Sequence, residues 1–416
     1  MDQRIVVTGL GCISPLGNDV VTTWQNLMDK KSGVDLITYY DTTDYDCKVA
    51  AEVKGFDGPS LFGSREARRM DRCTQYSLAA AQEAVKDAKL EIDPGNSDRI
   101  GAVVGTGIGG IETLYDEFMN FEAKGPSRVS PFLVPMMLPD TPGGKIAIEL
   151  GIKGTNFAVV TACATGTNAI GEASEIIKRG QADVMLAGGC EAAIVPIAMA
   201  GLSKMGALST YDGAPNRASR PFNLDRSGFV MGEGAAILVL ESLEFAQERG
   251  AQILGELVGY GSTNDAFHIS APAENGSGAA MCMRLAIEDA GIKPRDIDYI
   301  NAHGTGTPLN DKSETAAIKT VFEDYAYQLP VSSTKSMTGH MIGAAGAIEA
   351  VFAVKVLQND IMPPTINYEV PDPECDLDYI PNEPRQKQVN YVMSNSFGFG
   401  GHNATIILKK YKKAQS

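Results

Sequence analysis

The residue types this chain has little of exclude several functions at once. Its seven cysteines are odd in number, irregularly spaced and never arranged as Cys-x-x-Cys. That argues against a disulfide framework and a structural zinc site, and for a reducing compartment. Positive charge is in deficit, with 36 Lys and Arg against 51 Asp and Glu and a formal net charge of −15. Nucleic acid and anionic membranes are therefore not expected as general partners, and an acidic partner must find a local basic patch. The start, MDQRIVVTGLG, lacks the basic and apolar regions of a signal peptide, and no run reads as long enough to span a bilayer. A cytoplasmic protein is expected. Histidine occurs only four times, so its placements carry weight.

What is present is a long, glycine-rich chain. The 416 residues, 44% hydrophobic and 21% charged, suit a globular protein of one large or two ordinary domains. Forty-four glycines without low-complexity tracts imply many tight turns. Strand-like runs at 4–8, 100–104, 182–187, 235–240, 297–302 and 405–408 alternate with helical runs at 74–88 and 279–290, the pattern of an α/β fold.

The chain also repeats itself. The run AVKDAKLEIDPGNSDRIGAVVGTG, ending at Gly107, matches AIEDAGIKPRDIDYINAHGTG, ending at Gly306. Ala169 to Ala173 match Gly346 to Ala350, and 227–238 resembles 396–407. Three matches in one order indicate two similar halves, 1–250 and 251–416, with their central helices packed together. Residues 108–144, rich in Met, Phe and Pro, have no counterpart and read as an insertion that forms an interface or a pocket wall.

Cys163 lies in TACATGTNA, between the run 157–160, which reads as a buried strand, and a long helical segment. A helix start favours an anion, so a thiolate should form there more easily than in free cysteine. A nucleophile and a packed, inert thiol both remain open from the local sequence. His303, in NAHGTGTPLND, follows a strand at the end where α/β proteins build their sites. His340, in STKSMTGHMIGAAGA, precedes the helix that duplicates the Cys163 helix. By that pseudo-symmetry His340 should occupy the corner corresponding to Cys163, and the two should meet.

These motifs, with NSFGFGGHNA near the end, resemble the β-ketoacyl-acyl-carrier-protein synthases, closest to the synthase II type of fatty-acid synthesis. The resemblance runs from RIVVTGLGCISPLG to IILKK. It implies a thiolase-like α/β fold of five layers, α-β-α-β-α, and a homodimer. It also implies that Cys163 takes an acyl group from acyl carrier protein, that the N–H groups of Cys163 and Phe399 stabilise the oxyanion, and that His303 and His340 support loss of CO2 from a malonyl group. Lys335 would hold the histidines, with Asp311 or Glu314 as its partner. No cofactor is implied, since phosphopantetheine arrives on the carrier. The resemblance also points to a structural cation near Asn301, Glu349, Ser394 and Asn395, and His402 reads as structural.

Ile108 and Leu202 are expected to line the acyl pocket, Leu133 and Met137 to reach in from a partner subunit, and Thr305 and Thr307 to bind substrate. Phe399, flanked by Gly398 and Gly400, is expected to swing as a gate. Ser64 reads as an N-cap, placing Arg65, Arg68 and Arg69 on one face of a helix running to Ala88, a surface for the acidic carrier protein. Arg128 and Lys204 are further candidates. The alternatives are a polyketide or synthase I type ketosynthase and a non-catalytic chain-length partner; the latter would lack the cysteine.

Overall fold

The computed structural model describes residues 3–413. Ten of its strands join in one ladder: β1 (Ile5–Ile13), β2 (Ile100–Thr106), β3 (Asn156–Phe157), β4 (Val184–Glu191), β5 (Gly234–Ser242), β6 (Gly255–Asn264), β7 (Tyr299–Asn301), β8 (Val331–Ser332), β9 (Tyr391–Gly398) and β10 (His402–Lys409). Their order is β8-β7-β9-β10-β6-β1-β5-β4-β2-β3. This is one five-strand pattern written twice. From β1 the pairings through β5, β4, β2 and β3 run antiparallel, antiparallel, parallel, parallel. From β6 the pairings through β10, β9, β7 and β8 repeat that series. The copies join where β1 pairs antiparallel with β6, at Ile5–Leu257, Val6–Glu256 and Val7–Gly255.

Six helices cover these strands: α1 (Arg72–Asp87), α2 (Thr141–Leu150), α3 (Thr165–Lys178), α4 (Ser277–Asp289), α5 (Pro308–Phe322) and α6 (Ala345–Asn359). α3 and α6 pack on each other, and each also touches strands of both halves, so they form the middle layer. α1 and α2 cover the outside of the first half, and α4 and α5 that of the second. Strands with helices on both faces bury every residue, as β4 and β5 do, and this explains their unbroken apolar runs. The central core joins Ile170 and Ile176 of α3 to Ile348, Val351 and Phe352 of α6. Burying each such side chain contributes about 1.5–3 kcal/mol.

The two central helices cross at a pair of glycines. A Cβ on Gly166 would lie 2.6 Å from the Ala347 nitrogen, and one on Gly346 would lie 2.0 Å from Thr167 Oγ1. This crossing sets the register of the duplication. Short 3-10 turns, Ala162–Ala164 and Ile342–Ala344, lead into α3 and α6, and Ala162 and Ile342 share the left-handed region with φ of 50° and 43°. Cys163 therefore corresponds to Gly343, not to His340, which lies three residues earlier.

Three further expectations are corrected. The run 157–160 is not buried: β3 is a short strand at the end of the ladder, with Phe157 39% and Val160 50% exposed. The arginine segment is not the start of one long helix. Ser64–Ala67 is a separate helical turn after Gly63, and α1 begins only at Arg72, where the Asp71 carboxylate accepts the Cys73 N–H at 3.0 Å. Finally, the stretch Ile342–Asn359 is long and apolar enough by composition to cross a membrane, with mean hydropathy 1.2, but 83% of it is buried in the core.

Candidate active site

The turn that carries Cys163 is fixed from both sides. The Thr161 N–H donates to Thr165 Oγ1 at 2.9 Å, and its hydroxyl bonds Asn168 Oδ1 at 2.8 Å. Asn168 in turn donates to the Tyr260 hydroxyl at 2.8 Å. From the other half, the loop after β9 comes so close that a Cβ on Gly398 would lie 2.9 Å from the Thr161 carbonyl oxygen and 3.0 Å from the Cys163 nitrogen. Only glycine tolerates that approach. It brings the Phe399 N–H to the sulfur, which the Cys163 N–H also faces.

His303 follows β7, and its place is set by a buried carboxylate: Glu314 on α5 accepts the N–H groups of His303 and Gly304, both at 2.8 Å. His340 is held by its backbone, which donates to the Val230 carbonyl at 2.7 Å and accepts from the Gly232 N–H at 2.9 Å. Phe229 meets the His340 ring edge-on at 5.1 Å. The two imidazoles stand nearly perpendicular, 5.3 Å apart, and the Cys163 sulfur and a nitrogen of each lie within 4.8 Å of one another. Cys163, His303 and His340 are all buried.

Burial dominates the electrostatics. It pushes the Cys163 thiol up to about 12, against the pull of Lys335 and the two N–H groups. The thiolate favoured by the helix start is therefore not the resting form. Burial, and then the Lys335 ammonium, hold His303 and His340 well below the ordinary histidine value, so both are neutral near pH 7. Lys335 pairs with Glu349 of α6, both fully buried. That corrects the partner expected from the sequence: Glu314 instead holds the His303 loop, and Asp311 accepts from Phe222 and Gly306 and faces Arg226.

Glu349 Oε2, Ser394 Oγ and both polar atoms of the Asn301 side chain are buried without a hydrogen-bond partner. Three of these atoms, Glu349 Oε2, Ser394 Oγ and Asn301 Oδ1, are oxygens that suit a small hard cation, whereas the Asn301 amide nitrogen is a donor. Asn395 is committed elsewhere, its Oδ1 accepting from the Thr405 hydroxyl. The residues present thus fit a structural ion at three of the four expected positions.

A cavity of about 360 Å³ opens onto the triad and is lined by Cys163, His303, His340, Phe399, Thr305 and Thr307, among others. Ile108, Leu202, Leu133 and Met137 are not part of its lining. Leu202 packs in the apolar cluster that contains Cys163, together with Ile111, Ile342 and Phe399. Ile108 is 41% exposed, and Met137 meets the same loop, its carbonyl accepting the Gly110 N–H at 3.2 Å. Sequence reasoning missed Ile111, Phe229 and Ile342; their apolar character gives no local sign that they surround a thiol.

Arg65, Arg68, Arg128 and Lys204 are exposed. Arg69 is less free, lying 3.4 Å from Glu66 and 4.7 Å above the Phe132 ring. Lys204 stands 3.4 Å from Asp46 and directly precedes Met205, Gly206 and Ala207 of the cavity lining. His402 is the first residue of β10 and pairs with Asn264 and Gly398 in the ladder.

A duplicated, five-layered α/β fold with a buried cysteine and two histidines at the junction of its halves defines a thiolase-like condensing enzyme. The chain belongs to the β-ketoacyl synthase family. Residues 2–246 match the N-terminal domain of β-ketoacyl synthases and residues 254–369 the C-terminal domain. It is 54% identical over 411 residues to 3-oxoacyl-[acyl-carrier-protein] synthase 2 of Staphylococcus aureus (strain COL), with 99% of both chains covered. It is 52% identical over 410 residues to the protein of the same name from Synechocystis sp., again with 99% of both covered. Among solved structures it resembles a type II polyketide ketosynthase in complex with its acyl-carrier protein, with TM-score 0.92, 34% identity, and 99% of this chain and 100% of that one covered. A β-ketoacyl synthase from Burkholderia phymatum STM815 has TM-score 0.91 and 35% identity, with the same coverage.

Proposed function

We propose that this chain is an elongating 3-oxoacyl-acyl-carrier-protein synthase of fatty-acid synthesis. One observation carries the reading: a thiol in the lining of a cavity lies beside two backbone N–H groups and within reach of two neutral imidazoles. Attack by a neutral thiol requires a proton acceptor, and a neutral imidazole beside it is one. The sulfur bonds to the acyl carbonyl carbon of an acyl-carrier thioester. The N–H groups of Cys163 and Phe399 hold the oxyanion, and the carrier thiol leaves with the proton.

In the second half-reaction malonyl-carrier protein loses CO2, and the electron pair of the broken C–C bond becomes an enolate. Neutral imidazole donates an N–H to its oxygen, as His303 and His340 are placed to do. The enolate carbon attacks the acyl carbonyl and expels Cys163 as a thiolate, which takes up a proton from water, its own having left with the carrier thiol. The product is a β-ketoacyl-carrier protein two carbons longer. Burial, reinforced by Lys335 in its pair with Glu349, keeps both imidazoles neutral and so keeps them donors.

The fatty-acid substrate is favoured over a polyketide one by identity, 54% and 52% to the synthase 2 proteins against 34% to the polyketide enzyme. A non-catalytic chain-length partner is disfavoured because the cysteine and both histidines are present. Carrier protein is the partner, and Arg65, Arg68, Arg128 and Lys204 are the docking candidates. A second copy of the chain would cover the open edge of β3 and the exposed Leu114, Phe118 and Phe121 of the insertion. Seven free, buried cysteines support a reducing, cytoplasmic setting.

Incubation with acyl-carrier protein alone should add one acyl group, mapped by mass spectrometry to Cys163, and malonyl-carrier protein should then release a product two carbons longer. His303→Ala should still acylate but lose decarboxylation by about 10²-fold or more. An adduct on another cysteine, or decarboxylation untouched while acylation vanishes, would overturn the assignment.

A further inference from the structure

Glu191, the last residue of β4, is a buried carboxylate that the chemistry above does not use. It is 0% exposed and pairs with no Lys, Arg or His among the described residues. Its partners are instead three hydrogen-bond donors from two separate loops. Oε1 accepts the Thr106 hydroxyl at 3.0 Å, and Oε2 accepts the N–H of Gly107 at 2.8 Å and of Gly343 at 3.0 Å. Burying a carboxylate without a counter-charge is costly, and an apolar side chain would fill the space more cheaply. Its value must lie in the two loops that it joins.

Both loops bear on Cys163. The first leads from β2 through Gly107 and Ile108 to Ile111, which packs against the apolar cluster around Cys163, and Thr106 Oγ1 secures its far side by accepting the Gly109 N–H at 3.1 Å. The second is the turn into α6, where Ile342 has φ of 43°. That conformation is strained for a β-branched residue and persists only where surrounding contacts enforce it. Ile342 packs in the cluster around Cys163. The loops touch directly: a Cβ on Gly343 would lie 2.4 Å from the Gly107 nitrogen, and one on Gly107 would lie 2.6 Å from Ile342 Cγ2.

We propose that Glu191 is a positioning residue for acyl-chain selection. Its carboxylate clamps the Gly107–Ile108 loop to the strained Ile342–Gly343 turn, and so sets how closely Ile111 and Ile342 pack beside the Cys163 thiol that carries the acyl chain. This rests on the reading of Cys163 as the acylated residue. The clamp needs acceptors rather than charge, because two of its three donors are backbone N–H groups.

The test compares Glu191→Gln, Glu191→Ala and Thr106→Val with the parent across acyl-carrier proteins of graded chain length, recording KM and kcat for acyl transfer to Cys163. Glutamine can present its carbonyl to both N–H groups and its amide to the Thr106 hydroxyl, so its length profile should match the parent's. With the clamp removed by Glu191→Ala, the ratio of kcat/KM between the best and poorest chain lengths should fall about tenfold, the scale of one lost buried hydrogen bond. The change should appear mainly in KM rather than in kcat. Thr106→Val should move the ratio in the same direction by less, and it decides the matter should the alanine variant not fold. An unchanged ratio in the folded alanine variant, or in Thr106→Val in its place, overturns the proposal, as does a glutamine variant as altered as the alanine. Failure of the functional reading would look different, since the parent itself would then transfer no acyl group to Cys163.

Discussion

At the scale of single residues, the site is governed by what burial does to charge. A cysteine at a helix start beside two histidines could form a thiolate–imidazolium pair, but removal from water disfavours both ions. The thiol is pushed up to about 12 and the imidazoles are held well below their usual value. A neutral pair is the result. Alkylation of Cys163 by iodoacetamide should therefore keep rising between about pH 6 and about pH 9, because the thiolate fraction is still growing there. A rate that levels off below about pH 7 would mean a preformed ion pair and would refute this picture. The sign is fixed by the direction of the shifts: raising a thiol's pKa moves its reactive form to higher pH, and depressing the histidines removes the cation that could offset it.

Elements rather than residues bring the groups together. α3 and α6 cross at Gly166 and Gly346, which allows the turns before them, and hence Cys163 and Gly343, to approach each other. Gly346→Val would place its Cβ 2.0 Å from Thr167 Oγ1, in the central helix layer. Overpacking of this kind costs about 1–3 kcal/mol or more. The variant should melt at a clearly lower temperature than the parent and lose acylation in proportion. The same substitution at Gly144 of α2, a helical glycine where a Cβ would meet no atom within 4 Å, serves as the control for the loss of a helical glycine alone. If both variants melt alike, the helix contact is not what the glycine protects. The duplication was legible in the sequence because its matching segments keep their order, but its register was not. Short Ala- and Gly-rich stretches align almost equally well when slid by a few residues, and only the paired turns at Ala162 and Ile342 decide between them.

For the whole molecule the question is how an acidic enzyme meets an acidic carrier. The exposed Arg65 and Arg68 are freer to bind carboxylates than Arg69, which is engaged by Glu66 and Phe132. Reversing Arg65 and Arg68 to Glu should raise KM for acyl-carrier protein several-fold, with a loss that shrinks at high salt as screening removes the steering. Transfer from a small acyl-pantetheine should be unaffected. Equal losses with both substrates would place the damage in the fold or the site, and the docking role would fall.

The amino-acid sequence by itself determined the α/β alternation, the doubling of the chain and the residues that gather at the centre, Cys163, His303 and His340. These follow from local periodicity, glycine placement and motif order, which are properties of short segments. Tertiary structure alone decided that Lys335 pairs with Glu349 instead of Asp311 or Glu314, that Asp71 starts a new helix after the arginine segment, and that the 157–160 run lies at an open sheet edge. It also decided that the thiol rests protonated. Each of these depends on which distant groups exclude water from, or donate hydrogen bonds to, a given side chain, and that is set by how the layers pack.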